Sequence, residues 1–94
     1  MLFSLPANCT VEHAAELKKA LWATLQPGAQ VKLDANNVQR ADITVFQLLY
    51  CLERELTAAG GRLSLHAIQP VLVSEAKAAG LDAWFQELAS TQEN

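Results

Sequence analysis

The sequence predicts an α/β domain: a mixed, largely parallel sheet with helices packed on it. Three observations predict it. Apolar stripes at helical spacing alternate along the chain with short β-prone runs. Turn residues fall at the joints, at Pro27-Gly28, Gly60-Gly61 and just ahead of Pro70. Residues 38–56 pass from a polar loop into a long amphipathic helix, and a short strand, 31–33, ends at Asp34 just before it. Such alternation favours parallel strands joined by right-handed crossovers.

The elements follow in order. Residues 2–5 read as a short first strand, ended by Pro6-Ala7-Asn8. Thr10 is a good N-cap residue, and Glu12 in the first turn suits the helix dipole. From 11 to about 26, Ala14, Leu17, Leu21 and Leu25 form a helical stripe, with Trp22 beside it. Pro27-Gly28 stops that helix. Residues 29–33 give the second strand, and Asn36-Asn37 marks a loop. The next helix starts at Thr44 or Val45 and runs to about Ala59; Thr44 followed by Gln47 matches a capping box. Its core face holds Val45, Leu48, Leu49, Leu52 and Leu56. Gly60-Gly61 ends it. Residues 62–66 alternate polar and apolar, the pattern of a half-buried strand. Pro70 fits a first helical turn, and Gly80 closes that helix. Asp82 is placed to cap a last short helix over 83–89, with a short edge strand around 83–85 ahead of a helix as the alternative. Residues 90–94 read as a fraying tail. The pattern β-α-β-α-β-α-α makes one domain over 1–94.

Composition excludes several functions. The chain is 51% hydrophobic and 18% charged, below the roughly 25% charged of average soluble proteins. Apolar surface is therefore available for a partner. The net charge is −3 and the seven Lys and Arg form no stripe, which argues against nucleic acid. No apolar run approaches the ~18 residues of a membrane span, and residues 1–6 lack the basic start of a signal peptide. A cytoplasmic protein with no membrane insertion is the expectation. Cys9 and Cys51 are too scattered, with His13 and His66, for a metal site. No phosphate-loop, dinucleotide or serine-hydrolase motif is present, and no nucleophile-base-orienter set can be assembled. Neither a cofactor nor an enzymatic activity is expected.

In parallel sheets, sites gather outside the carboxyl ends of strands. The 34–44 loop leaves one such end and 66–69 another, so the two belong on one edge. Asp42 and Thr44 sit where loop becomes helix, a place whose free N–H groups suit an anion.

At these residues the chain resembles a STAS domain, the fold of bacterial anti-sigma factor antagonists and sulfate-transporter tails. Nearly the whole chain takes part: the strand ending in Asp34, then Asp42, a hydroxyl two places on, an apolar helix, Gly60-Gly61, the strand 63–65, the helix from Pro70, and Gly80-Leu81. Family members usually read Asp-Ser-Ser/Thr-Gly-Leu where this chain has Asp42-Ile43-Thr44-Val45-Phe46. The resemblance implies that Thr44 takes the place of the phosphoacceptor. Ile43 replaces the first hydroxyl, and Val45 replaces a glycine that would let a partner backbone come close. The resemblance also implies a regulatory, non-enzymatic role. The partner is then an anti-sigma factor or other serine/threonine kinase. Alternatively, the chain is a constitutive subunit on the ATPase of a phospholipid-type ABC transporter.

The partner-binding candidates are Asp34, Asp42, Thr44, Phe46, Gln47 and Tyr50. Thr44 is either a phosphorylation site or an N-cap, and the two are compatible. A phosphate there adds about −1.5 to −2 charge, which a helix N-terminus can accept without remodelling the fold. Asp42 either orients the Thr44 hydroxyl or caps loop amides. Asp34 belongs to an acidic rim or is a turn former. Phe46 and Tyr50 either finish the core or anchor an interface. His66 reads first as a partly exposed structural residue.

Overall fold

The structure, a computed structural model, describes residues 2–90. Strands β1 (Leu2–Ser4), β3 (Gln30–Asp34) and β5 (Arg62–His66) form one sheet in the order β1-β3-β5, with every pairing parallel. The short strands β2 (Asn8–Cys9) and β4 (Arg40–Ala41) pair parallel with each other. That second ladder lies where the sequence shows only loops, because a two-residue strand carries no periodicity to read.

The helices are α1 (Ala14–Trp22), α2 (Ile43–Ala58), α3 (Pro70–Ala78) and α4 (Asp82–Ser90). The last is helical from its start, with no edge strand over 83–85 ahead of it. Asp82 is its first residue and Ser90, the first residue of the expected tail, belongs to it; the rest of that tail, 91–94, lies outside the described residues.

Register fixes the core. Phe3, Leu33 and Leu65 stand side by side across the three strands, and Val31 stands beside Leu63. Side chains alternate along a strand, so these five share one face. Helices cover it with Leu17 and Leu21 from α1, Leu49, Leu52 and Leu56 from α2, Leu72 from α3, and Phe85 and Leu88 from α4, all buried. Each such side chain contributes about 1.5–3 kcal/mol when fully buried. On the other face Leu2, Ser4, Gln30, Lys32 and Arg62 are exposed. Ser64 departs from the alternation: it is buried, and its hydroxyl meets His66 Nε2 at 3.0 Å. That bond lets a polar residue occupy a dry position.

Several boundaries shift for local reasons. A 3-10 turn over Val11–His13 precedes α1, which stops at Trp22 instead of about residue 26. The Thr24 hydroxyl donates to the Leu21 carbonyl at 2.6 Å, drawing the chain out of the helix. Thr10 makes no side-chain cap; its hydroxyl donates to Asn8 Oδ1 at 2.6 Å. At the end of α2, Gly60 takes a positive φ of 81°, a conformation that favours glycine. A Cβ on Gly61 would run into the Ala29 carbonyl, which accepts the Arg62 N–H at 2.9 Å. The glycine pair therefore both stops the helix and lets β5 start tight against the end of the α1–β3 loop.

Candidate partner-binding site

Asp42 is the residue on which this corner is built. It is the N-cap of α2, with extended backbone, and its Oδ1 accepts the Thr44 N–H at 2.9 Å. Its Oδ2 accepts the Val11 N–H at 3.0 Å. One carboxylate thus caps the starts of two helical segments that lie 31 residues apart. The Thr44 side chain also favours the charged form of this carboxylate. Desolvation pushes the Asp42 carboxyl up, but the Val11 and Thr44 donors outweigh it and hold the pKa below the ordinary aspartate value.

This arrangement corrects the expected capping box. The helix begins at Ile43, not at Thr44 or Val45, and Thr44 lies inside its first turn. An aspartate one residue ahead of the helix reaches the free amides better than Thr44 can from within it. Thr44 is half-buried and Gln47 is exposed.

The loop before the helix behaves as turn chemistry predicts. Asp34 Oδ1 accepts the Asn36 N–H at 2.9 Å, an Asx turn at the end of β3. The Ala35 N–H donates to the His66 carbonyl at 2.8 Å. The loops after β3 and β5 therefore do lie together on one edge of the sheet, as the parallel topology requires. His66 is paired with Ser64 and Asp34 is in register beside it.

The face of α2 differs from the predicted stripe by one position. Phe46 is wholly buried, and its ring meets Phe85 edge-on at 5.6 Å. Leu48, predicted for the core, is only half-buried. Phe46 is thus not a surface anchor; it underlies the surface that Ile43, Gln47 and Tyr50 present. The sequence places it on the flank because helical periodicity alone cannot show that α4 folds back and extends the core to that side. Tyr50 stays on the surface at 44% exposure. Its ring packs against Trp84 at 5.7 Å and lies under the Arg54 guanidinium at 5.8 Å. Trp84 Nε1–H donates to Glu53 Oε1 at 2.9 Å, tying α4 to α2.

Between these helices runs a groove of about 400 Å³, lined by Ile43, Phe46, Gln47, Tyr50, Leu81 and Trp84. Its lining residue Ile43, which precedes Thr44 in the chain, is 49% exposed. The sequence singles out Phe46, Gln47 and Tyr50 but misses Leu81 and Trp84, which reach the site only through the α3–α4 turn.

Two further residues have clear chemistry. Cys9 is buried beneath the Asp42 corner and donates its thiol to the Pro6 carbonyl at 3.3 Å. Burial, with the Asp42 charge adding to it, pushes this thiol up to about 11. Cys51 is exposed on α2. Thiol titration at pH 8 is therefore expected to modify one cysteine in the folded protein, Cys51, and two in denaturant. Mass spectrometry of the peptides identifies which. Among the described residues no group of three or more His, Cys, Asp and Glu is placed to hold a metal ion, and no helix is long and apolar enough to cross a membrane.

A search of curated proteins finds no match to the chain. The family model described as "Mlab, STAS domain" matches residues 3–89. That span takes in the parallel sheet, the Asp42 corner and the groove. The chain belongs to this STAS family.

Proposed function

We propose that the chain is a non-enzymatic, cytoplasmic protein-binding subunit that docks through the 34–44 loop and the exposed side of α2, and that its partner is the ATPase of a phospholipid-type ABC transporter. STAS domains are generally binding domains that mediate protein–protein interactions. The observation that carries the reading is the groove beside the start of α2, whose apolar walls Ile43 and Tyr50 are about half exposed. Large apolar and aromatic side chains in such a setting are the usual anchors of an interface. The Mlab description of the matching family supports the transporter partner. The place of Thr44 beside the Asp42 carboxylate supports constitutive binding, because its N–H is already bonded there at 2.9 Å and its side chain favours that charge.

Partner switching is the second reading, and one observation favours it: Thr44, next in the chain to Ile43 of the groove, remains half-exposed. An anti-sigma factor or other serine/threonine kinase would then be the partner. Phosphorylation would set a dianion against the Asp42 carboxylate, competing for the same amides and loosening the cap. Contrary to the sequence expectation, that charge would not leave the corner unchanged.

The two readings separate in one experiment. The chain is co-expressed with the transporter ATPase and, separately, with a candidate kinase, and association is measured by calorimetry. Constitutive binding predicts a complex with the ATPase that survives ATP treatment. It also predicts that Tyr50→Ala and Ile43→Ser each weaken association by about 1–2 kcal/mol, while Thr44→Val has a smaller effect. A kinase complex that dissociates on modification of Thr44, reproduced by Thr44→Glu, would replace it with the switch.

A further inference from the structure

We propose that the free edge of β1 is a second binding site, which takes up an extended segment of a partner protein by strand addition. The proposal is independent of the groove on α2. β1 lies at one end of the β1-β3-β5 order, whereas α4 packs against β5 at the other.

The backbone sets the geometry. The Leu5 N–H donates to the Asp34 carbonyl at 2.9 Å, so the odd-numbered residues of this segment face β3. The amide and carbonyl groups of Leu2 and Ser4 then point away from the sheet, where no described strand pairs with them. Such an edge is a template for another strand. Both Leu2 and Ser4 are exposed.

The side chains supply the specificity. A cleft of about 360 Å³ lies along this edge, walled by Phe3 of β1, His13 of the 3-10 turn, and Glu16, Leu17 and Ala20 of α1. It continues the core face of the sheet, because Phe3 stands beside Leu33. A strand added to β1 would place every second side chain into this cleft. The deeper part, at Phe3, Leu17 and Ala20, is apolar. The rim carries Glu16, whose side chain is 85% exposed and lies 3.5 Å from His13. The complementary occupant is an extended segment with an aliphatic residue in the cleft and a Lys or Arg two places along, at the acidic rim.

The test uses a synthetic probe, acetyl-Ser-Thr-Val-Thr-Leu-Thr-Lys-Thr-amide, titrated into nitrogen-15-labelled protein. Two further probes carry N-methyl groups on alternate residues, one in each phase. The expected result is a shift and slowed exchange of the Ser4 amide, with shifts at Phe3, Leu17 and Ala20. One N-methylated probe should bind and the other should not, since only one edge of the added strand faces β1. Ala20→Phe, which fills the cleft from the helix surface, should abolish binding while circular dichroism remains unchanged. The proposal is overturned if saturating probe shifts nothing at β1. It is equally overturned if the shifts lie on α2, if both methylated probes bind alike, or if Ala20→Phe binds normally. Concentration-dependent dimerisation through β1 without probe also overturns it, by assigning the edge to a second copy.

Discussion

Phe46→Ala is expected to lower folding stability by about 3–5 kcal/mol, the range for removing a buried aromatic side chain. Domains of this size have only about 5–15 kcal/mol in total, so this is the largest effect expected of a single change here. The reason is the position of the ring. Phe46 is fully buried and joins α2 to α4 through its edge-on contact with Phe85, at 5.6 Å and 90°. Such a pair adds about 0.5–1.5 kcal/mol beyond the area it buries. A ring removed from this point also leaves the groove without its floor. Urea denaturation should show a lower midpoint at unchanged slope. Phe46→Leu refills most of the volume and should cost clearly less. Tyr50→Ala on the same helix removes a half-exposed ring and should cost less again, while its effect on partner association is the larger of the two measurements. A Phe46→Ala variant as stable as the parent would mean that α4 does not rest on α2 in this way.

Phe46 also shows where a sequence can and cannot be read. The α/β architecture was legible because each long element carries its own signal: the 3.6-residue stripe of α2, the stop at Gly60-Gly61, Pro70 at the start of α3. The edge of the sheet that bears the site was legible for the same reason, since parallel strands bring the ends of β3 and β5 together. Contacts between distant segments leave no such trace. Nothing near Val11 indicates that its amide will be capped by Asp42, and nothing near Trp84 indicates that it will wall a groove with Tyr50. Thr10 and Thr44 are good local candidates for caps, yet Asp42 serves both segments because the β2–β4 ladder brings it within reach of each. The Asp42 and Thr44 pairing is visible in the family motif, but the hydrogen bonds that tie them require the fold.

Asp42→Ala is expected to cost about 2.5–4 kcal/mol, combining a lost N-cap at about 1 kcal/mol with lost bonds to a charged acceptor at about 1.5–3 kcal/mol. Water on the exposed side of the carboxylate favours the lower part of that range. The cost should appear in two places, because the Val11 and Thr44 amides both lose their acceptor. Hydrogen exchange at Val11 and Thr44 should quicken together, although they belong to different helical segments. A change at Thr44 alone would show that the first segment is held by other contacts. The same group makes stability depend on pH in a definite direction. Its donors hold the folded carboxyl below 3.8, its value when free. The folded state therefore binds this proton less readily than the unfolded chain does. The stabilisation is complete above the unfolded pKa and disappears as pH falls through the lower, folded one. Urea midpoints measured from pH 6 downward should decline for the parent through and below pH 4. Asp42→Asn, which keeps the shape and one acceptor oxygen but cannot ionise, should start lower and decline less. The gap between the two should close toward acid. If the curves stay parallel, the charge of Asp42 does not hold the corner and the hydrogen-bond geometry alone does.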